Sequence, residues 1–494
     1  MKQTDVLVIG SGVAGLSFAV NLAKNNANLK ITIVTKSSAE ETNTRYAQGG
    51  IAAVMNLESD NFEQHITDTI NAGGGLCDPA VVEMVVRQAP DRIREIIEMG
   101  ANFDTNSSGK YDLGLEGGHS RNRILHHKDC TGKELESVLL KAVSQYTNIT
   151  IATHYTIIDL IVEKRETSTV CVGAYYLNFK SKHIDAIQSK VTMICSGGSG
   201  QIFKNTTNPE IATGDGVAIA NRVGATIKEL NYYQFHPTAL YEPKRNPSFL
   251  ISEAVRGYGA YIVNHQEERF VFEYDSRGEL ATRDIVSHAI GSELIKSGRA
   301  NVFLDCRHLD ENQFLKHFPS ITNYCKTIGL DPAKDLLPIV PAAHYQCGGI
   351  TVDKDGKTSI ENLYANGECA RTGLHGKNRL ASNSLLEALV YAKQAATDVA
   401  AKIASIDYLP TLANSYYHYD EVDTAVINSL KTQLQNIMNT FYWNQDLYKQ
   451  NTIDELKKLH DQFVRDFTMH AVSTPVIEYK NMLLVAQLML KQAV

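Results

Sequence analysis

Four short segments place a histidine or an arginine in otherwise apolar or glycine-rich surroundings. "NYYQFHPTALY" sets His236 directly before a proline, "GELATRDIVSHAI" puts Arg283 at the head of a helix-like run, "PIVPAAHYQCGG" isolates His344, and "LHGKNRLASNSLLEAL" carries Arg379 and Ser382 before an apolar helix. A buried guanidinium needs an anion, and arginine binds a carboxylate through two parallel hydrogen bonds. Several such groups together point to a dicarboxylate ligand. The competing reading for each is a satisfied structural residue. A fifth segment, "EGGHSRNRILHH", packs Glu116 among two arginines and three histidines. Its acid either neutralises a neighbour on a solvated loop or reads a positive charge on an otherwise anionic substrate.

Several chemistries lack their usual signatures. There is no GxxxxGK[ST], no HExxH and no GxSxG, which removes the ordinary marks of nucleotide hydrolysis, zinc proteolysis and serine hydrolysis. The eight cysteines are scattered without a CxxC pair, so they read as reduced thiols, with no metal site expected. A net charge of −7 and the absence of long Lys/Arg runs argue against nucleic acid as a partner. No apolar run reaches membrane-span length, and the apolar N-terminal stretch is too short for a signal peptide, so a cytoplasmic location and no membrane partner are expected.

Positioning these residues takes more than one core, because 494 residues exceed what one ordinary domain holds. "DVLVI" (5–9) reads as a buried parallel strand, the residues after it as a helix with Leu16, Ala19, Val20 and Ala23 on one face, and "LKITIVTK" (29–36) as a second strand. Between the first two lies G-x-G-x-x-G at Gly10, Gly12 and Gly15, with Ser11, Val13 and Ala14 in the gaps. In that setting it is a pyrophosphate-binding turn at a helix N-terminus. The acidic residue that usually ends the second strand and holds a ribose is missing, and Lys36 stands near its place. Further glycine clusters at 47–50, 72–76, 196–200, 213–216 and 347–349 are either plain turns or remote parts of one nucleotide site. From about residue 415 the glycines vanish and helical periodicity takes over, with Thr452 and Glu455 fitting a capping box.

The motifs "GSGVAGLS", "NTRYAQGGIAAV", "EGGHSRNRILH", "TNPEIATGDG", "SEAVRGYGA", "ELATRDIVSHAI", "PAAHYQCGG" and "HGKNRLASNSLLEALVY", in this order along nearly the whole chain, resemble the succinate dehydrogenase/fumarate reductase flavoprotein family. The resemblance implies an α/β fold: a Rossmann-like FAD-binding domain (1–237 and 346–412) interrupted by an α+β capping domain (238–345), with a C-terminal helical bundle (413–494). It implies FAD contacts at Ser11, Gly12, Val13, Ala14, Lys36, Asn43, Thr44, Arg45, Tyr46, Ala47, Gln48, Gly49, Gly50, Asp215, Glu368, Ser384 and Leu385. It places Glu116, His236, Ser252, Arg283, His344, Arg379 and Ser382 around the substrate, with Arg283 in the position of the family's proton-transfer arginine. Ser252 replaces the family's usual threonine and keeps the hydroxyl.

Two positions favour the branch of that family that oxidises L-aspartate to iminoaspartate. Asn43 stands where respiratory members carry the histidine bonded to flavin, so FAD is expected to be noncovalent. Glu116 supplies a carboxylate for an ammonium group that succinate and fumarate lack. The same resemblance implies oxygen or fumarate as electron acceptor and a link to quinolinate synthase on the route to NAD. The alternatives are a soluble fumarate reductase, a succinate dehydrogenase flavoprotein subunit, or a noncatalytic FAD- or anion-binding protein.

Overall fold

A computed structural model describes residues 2–409, 416–443, 445–467 and 470–493. Val6, Leu7, Val8 and Ile9 are all buried, as expected of a strand covered on both faces. They end strand β1 (Lys2–Ile9), which leads through the glycine turn into helix α1 (Val13–Ala23) and then β2 (Ile31–Thr35), parallel to β1 in the register Val6↔Ile31. The expected βαβ start is present with slightly shorter second and third elements. Helix α2 (Thr131–Val143) precedes β3 (Ile149–Thr153), which adds beside β2. Strands β4 (Tyr155–Lys164), β5 (Thr169–Asn178) and β6 (His183–Ile194) form an antiparallel meander, and β6 returns parallel to β1. The sheet order is β3-β2-β1-β6-β5-β4, with Leu363–Ala365 parallel to the end of β6. The C-terminal ends of β1, β2 and β6 therefore open on one edge, where α/β sheets bind ligands.

After helix α3 (Asp215–Arg222), the chain crosses to a second hydrophobic core through β7 (Tyr233–Leu240). Helix α4 (Glu253–Gly257), β8 (Tyr261–Val263), α5 (Arg283–Ser297) and β9 (Val302–Asp305) follow, and β10 (Leu337–Gln346) brings the chain back. These strands form a four-stranded sheet in the order β7-β10-β9-β8. Tyr233, Phe235 and Ala343 belong to the first core, whereas Leu240, Leu337 and Ile339 belong to the second. The β7/β10 pair is thus a shared ladder that joins two cores. Its register shifts around Pro237, which has no N–H to give a partner strand.

Helix α6 (Asn383–Lys402) lies against α1, and the C-terminal helices α7 (Thr424–Trp443), α8 (Gln445–Asp466) and α9 (Thr474–Gln492) complete the chain. Most of their buried residues, Leu434, Met438, Tyr479, Met482 and Val485 among them, join the first core, while Ile477 packs in a small cluster with Ile158 and Leu177. The capping box expected at Thr452 is not one: Thr452 lies inside α8, which begins at Gln445. No glycine or proline interrupts 424–466, so composition alone did not separate α7 from α8. The domain boundary expected at 412/413 lies outside the described residues.

The turn after β1 is built on close approach. A Cβ on Gly10 (φ +116°) would lie 2.1 Å from the Cys195 carbonyl oxygen, and one on Gly15 2.2 Å from the Gly10 oxygen. Gly100 has a similar φ of +110° but open space around it. Backbone strain alone costs either position roughly 1–3 kcal/mol as alanine. Gly10→Ala is therefore expected to lower the thermal midpoint distinctly further than Gly100→Ala. Equal shifts in calorimetry would mean that the backbone angle, not the Cys195 carbonyl, demands the glycine.

Candidate active site

One continuous cleft runs from the ends of β1, β2 and β6 to the β7/β10 ladder, with about 1660 Å³ of empty space including its open mouth. Gly10, Ser11, Gly12, Val13 and Ala14 line its inner half with Lys36, Asn43, Thr44, Tyr46, Ala47, Gln48, Gly49, Gly50, Asp215, Glu368, Ser384 and Leu385. Two expected residues stand elsewhere. Gly15 packs α1 onto the Gly10 carbonyl, and Arg45 turns its guanidinium away to Glu40 (3.3 Å) and Glu136 (3.5 Å). Of the other glycine clusters, Ser196 and Gly197 reach the cleft. Those at 72–76 and 347–349 do not; a Cβ on Gly73 would strike the His375 carbonyl and one on Gly348 the Glu229 backbone. For these two the plain reading, close backbone packing, is the correct one.

The inner half fits a dinucleotide. Helix α1 starts at Gly12 without a side-chain cap, and of its first amides the Val13 N–H goes to Thr44 Oγ1 (3.1 Å). Gly10, Gly12 and Ala14 line the cleft beside this helix start, an arrangement that favours a pyrophosphate. Helix α6 also starts uncapped, at Ser382. A missing cap costs about 1 kcal/mol, while each of its buried leucines and valines contributes roughly 1.5–3 kcal/mol, so burial holds the helix regardless. Asn43 Nδ2 donates to Glu368 (2.7 Å), whose other oxygen accepts from the Gln346 N–H (3.0 Å). Gln48 Oε1 is buried among the described residues without a hydrogen-bond donor.

At the outer half Arg283, Arg379, His236, His344, Ser252, Glu116 and Ser382 all come together, from elements far apart in the chain. Arg283, first residue of α5, donates from Nη1 to Gln234 Oε1 (3.0 Å) and from Nε to Glu253 (2.5 Å). Arg379 donates to the same Gln234 oxygen (3.1 Å) and to Ser384 Oγ (2.8 Å), with its guanidinium 4.5 Å from the centre of the Tyr345 ring. Burial, then the charge of Arg283, pushes Arg379 down to about 10, still cationic at neutral pH. Glu253 also lies 3.2 Å from Arg256, whose guanidinium donates to the Glu279 carbonyl, and the Glu279 carboxylate pairs with half-exposed Arg269 (2.7 Å). A line of charge thus runs from Arg283 to the surface.

His236 and His344, with ring centres 5.1 Å apart, are both held well below the ordinary histidine range by burial and by Arg283. They are neutral. The Thr238 N–H can only donate, so His236 accepts at Nδ1 (3.3 Å) and carries its proton on Nε2. Thr207 Oγ1 holds His344 Nδ1 (2.8 Å). Ser252 caps α4 by accepting from the Ala254 N–H (3.3 Å).

Glu116 is buried, and its carboxylate accepts from Ser382 Oγ (2.6 Å). Among the described residues it forms no ion pair. Burial and the nearby charge of Glu253 raise its pKa. Ser382 holds a left-handed φ of +60°, a conformation that costs a non-glycine residue on the order of 1–2 kcal/mol. Behind it, the fully buried Arg123 is clamped by Asp60 (2.8 Å) and Asp68 (2.5 Å) and donates to His119 Nδ1 (3.1 Å). His119 Nε2 then donates to the Ala381 carbonyl (2.9 Å), one residue before Ser382.

Gln234, Glu253, Tyr345 and Thr207 escaped the reading of the sequence. Gln234 and Tyr345 sit beside His236 and His344 in the segments already singled out, and that adjacency was the available signal.

A family model described as FAD binding domain matches residues 5–385. The chain is 40% identical to the chloroplastic L-aspartate oxidase of Oryza sativa subsp. japonica, covering all of this chain and 80% of that one. It is 39% identical to the L-aspartate oxidase of Yersinia pestis, covering 99% and 93%. Among solved structures, quinol fumarate reductase of E. coli superposes with a TM-score of 0.89 at 27% identity, over 99% of this chain and 89% of that one.

The His119 network has a pH signature. Burial pushes His119 down to about 4, so the folded state keeps it neutral while the unfolded chain takes a proton near pH 6.5. This group therefore costs stability as pH falls from about 6.5 to 4. Compared with His119→Gln, the wild type is expected to lose ground over that window by up to about 1.4 kcal/mol per pH unit. A stability difference that stays constant from pH 7.5 to 4 would refute the neutral, carbonyl-bound histidine.

Proposed function

The chain belongs to the L-aspartate oxidase family of flavoproteins, and we propose that its cleft holds FAD along the glycine-lined half and L-aspartate at the basic end, oxidising the amino acid to iminoaspartate. FAD, when bound, supplies the hydride acceptor. Everything else is done by this chain's own side chains. Arg379 and the Nε2–H of neutral His236 hold carboxylate oxygens, joined by His344 and Ser252, and fix which hydrogen of the substrate faces inward. Positioning of this kind contributes at most roughly 7–11 kcal/mol to catalysis.

The observation that carries the choice of substrate is Glu116. It is a buried carboxylate without an ion-pair partner among the described residues, in a site that otherwise holds two guanidinium groups. An α-ammonium group supplies the missing cation; succinate does not. Arg283 stands at the inner end of the charged line through Glu253 and Arg256. When fumarate is the electron acceptor, its reduction to succinate takes a hydride at one carbon and a proton at the other. Arg283 gives that proton and takes its replacement by way of the Glu253 carboxylate bonded to it.

Asn43 donates its amide to Glu368 and offers no group for a covalent flavin bond, which supports noncovalent FAD. Oxygen is the alternative acceptor, and quinolinate synthase the consumer of the unstable imine on the route to NAD. The free state of all eight cysteines supports a reducing, cytoplasmic compartment. Among the described residues no helix is long and apolar enough to cross a membrane.

Anaerobic mixing of the flavin-loaded protein with L-aspartate, succinate and D-aspartate tests the reading directly. L-Aspartate alone is expected to bleach the flavin. Bleaching by succinate would move the chain to the fumarate reductase side of its relatives, and no bleaching at all would leave a binding protein. Glu116→Gln is expected to raise the KM for L-aspartate at least tenfold while sparing fumarate reduction, and equal losses for both would remove its selective role. Arg283→Leu is expected to retain FAD and lose most turnover; near-normal rates would remove it from proton transfer.

A further inference from the structure

Lys36 stands where a ribose-binding acid is usual, and the structure shows all three hydrogens of its ammonium group committed. They go to Thr213 Oγ1 (2.7 Å), Asp215 (2.8 Å) and Glu478 (2.6 Å). Burial alone would lower its pKa, but the two carboxylates more than reverse that, so Lys36 is a fixed cation. Glu478 belongs to α9, the last helix of the chain. One turn further on, fully buried Asn481 donates to the other oxygen of Asp215 (2.8 Å) and accepts from Arg222 (2.8 Å). Val485, another turn along, packs so tightly on the turn before Asp215 that a Cβ on Gly214 would come within 3.0 Å of it.

We infer that α9 is a working part of the cofactor site: Glu478 and Asn481 are positioning residues that set Lys36 and Asp215 against the adenosine half of FAD. Asp215 keeps acceptor capacity on the oxygen that Lys36 touches, so this carboxylate, presented by α3, takes the role of the acid absent from the end of β2. The ammonium of Lys36 orients it and offsets its charge near the pyrophosphate. FAD binding and the docking of the C-terminal helix are then thermodynamically linked, since each is favoured by the arrangement the other requires.

The inference rests on the assignment of Lys36 and Asp215 to FAD, and the test keeps the two apart. FAD is titrated into the apoprotein, following quenching of flavin fluorescence, for wild type, Asp215→Asn, Glu478→Gln and Gln492→Ala. Gln492 docks the far end of α9 by hydrogen bonds to Leu230 and Ile227, away from the cleft, and so controls for a tail that is merely loosened. Glu478→Gln is expected to weaken FAD binding at least tenfold and Gln492→Ala less than threefold. In wild type, saturating FAD is expected to slow proteolytic cleavage within the C-terminal helices, and Glu478→Gln to abolish that protection. Unchanged affinity in Glu478→Gln, or the same loss in Gln492→Ala, overturns the role of α9. Unchanged affinity in Asp215→Asn overturns the underlying site assignment instead.

Discussion

One amide oxygen holds two positive charges together. Gln234 Oε1 accepts from both Arg283 and Arg379, while the amide nitrogen of the same residue is anchored to Asn378 (2.7 Å) and the Arg379 carbonyl (2.7 Å). Two buried guanidinium groups repel each other, and desolvation penalises each of them. The surroundings offset this unequally. Arg283 has the Glu253 carboxylate, whereas Arg379 has the Tyr345 ring and a buried Nε without an acceptor among the described residues. Arg379 is thus the cation left incomplete, and its missing partner is an anion that must come from outside. The neutrality of both histidines follows from the same pair, because neighbouring positive charge and burial disfavour a further proton.

Opposite this basic pair, the Glu116 loop is held by a buried network that leaves little freedom. Asp60 and Asp68 fix Arg123, Arg123 fixes the tautomer of His119, and His119 holds the carbonyl that precedes the strained Ser382. Ser382 gives its hydroxyl to Glu116 and not to the start of its own helix. The network orders one carboxylate in a place where burial alone would favour its neutral form. Burying charge at such cost is reasonable when a ligand cation completes the pairing.

The apolar runs and glycine turn of the first βαβ unit were legible because strands covered on both faces read as continuous hydrophobic stretches. Arg283 at the head of its helix and Arg379 just before another were visible for a similar reason, since each stands at the junction of a polar turn and an apolar run. Gln234 was not legible. An amide has no chemical signature of its own, and its importance arises only when side chains 49 and 145 residues away converge on it. Lys36 looked like a defect in a motif until Asp215 and Glu478, brought in from distant helices, explained it. Arg45 is the converse case: the resemblance places it at the cofactor, while its guanidinium pairs with Glu40 and the buried Glu136.

The ladder between β7 and β10 also sets the two histidines at the boundary between the cores. His236 and Ala342 face each other where the strands leave one core for the next, and His344 lies two residues beyond. Ser252 and Arg283 come from the segment between these two strands, whereas Gly49, Glu116 and Ser382 come from outside it, so the substrate end of the cleft is shared between the two cores. The Arg283 to Gln234 bond ties the inserted segment to the ladder itself. A change of packing in either core therefore reaches the site through the same two strands.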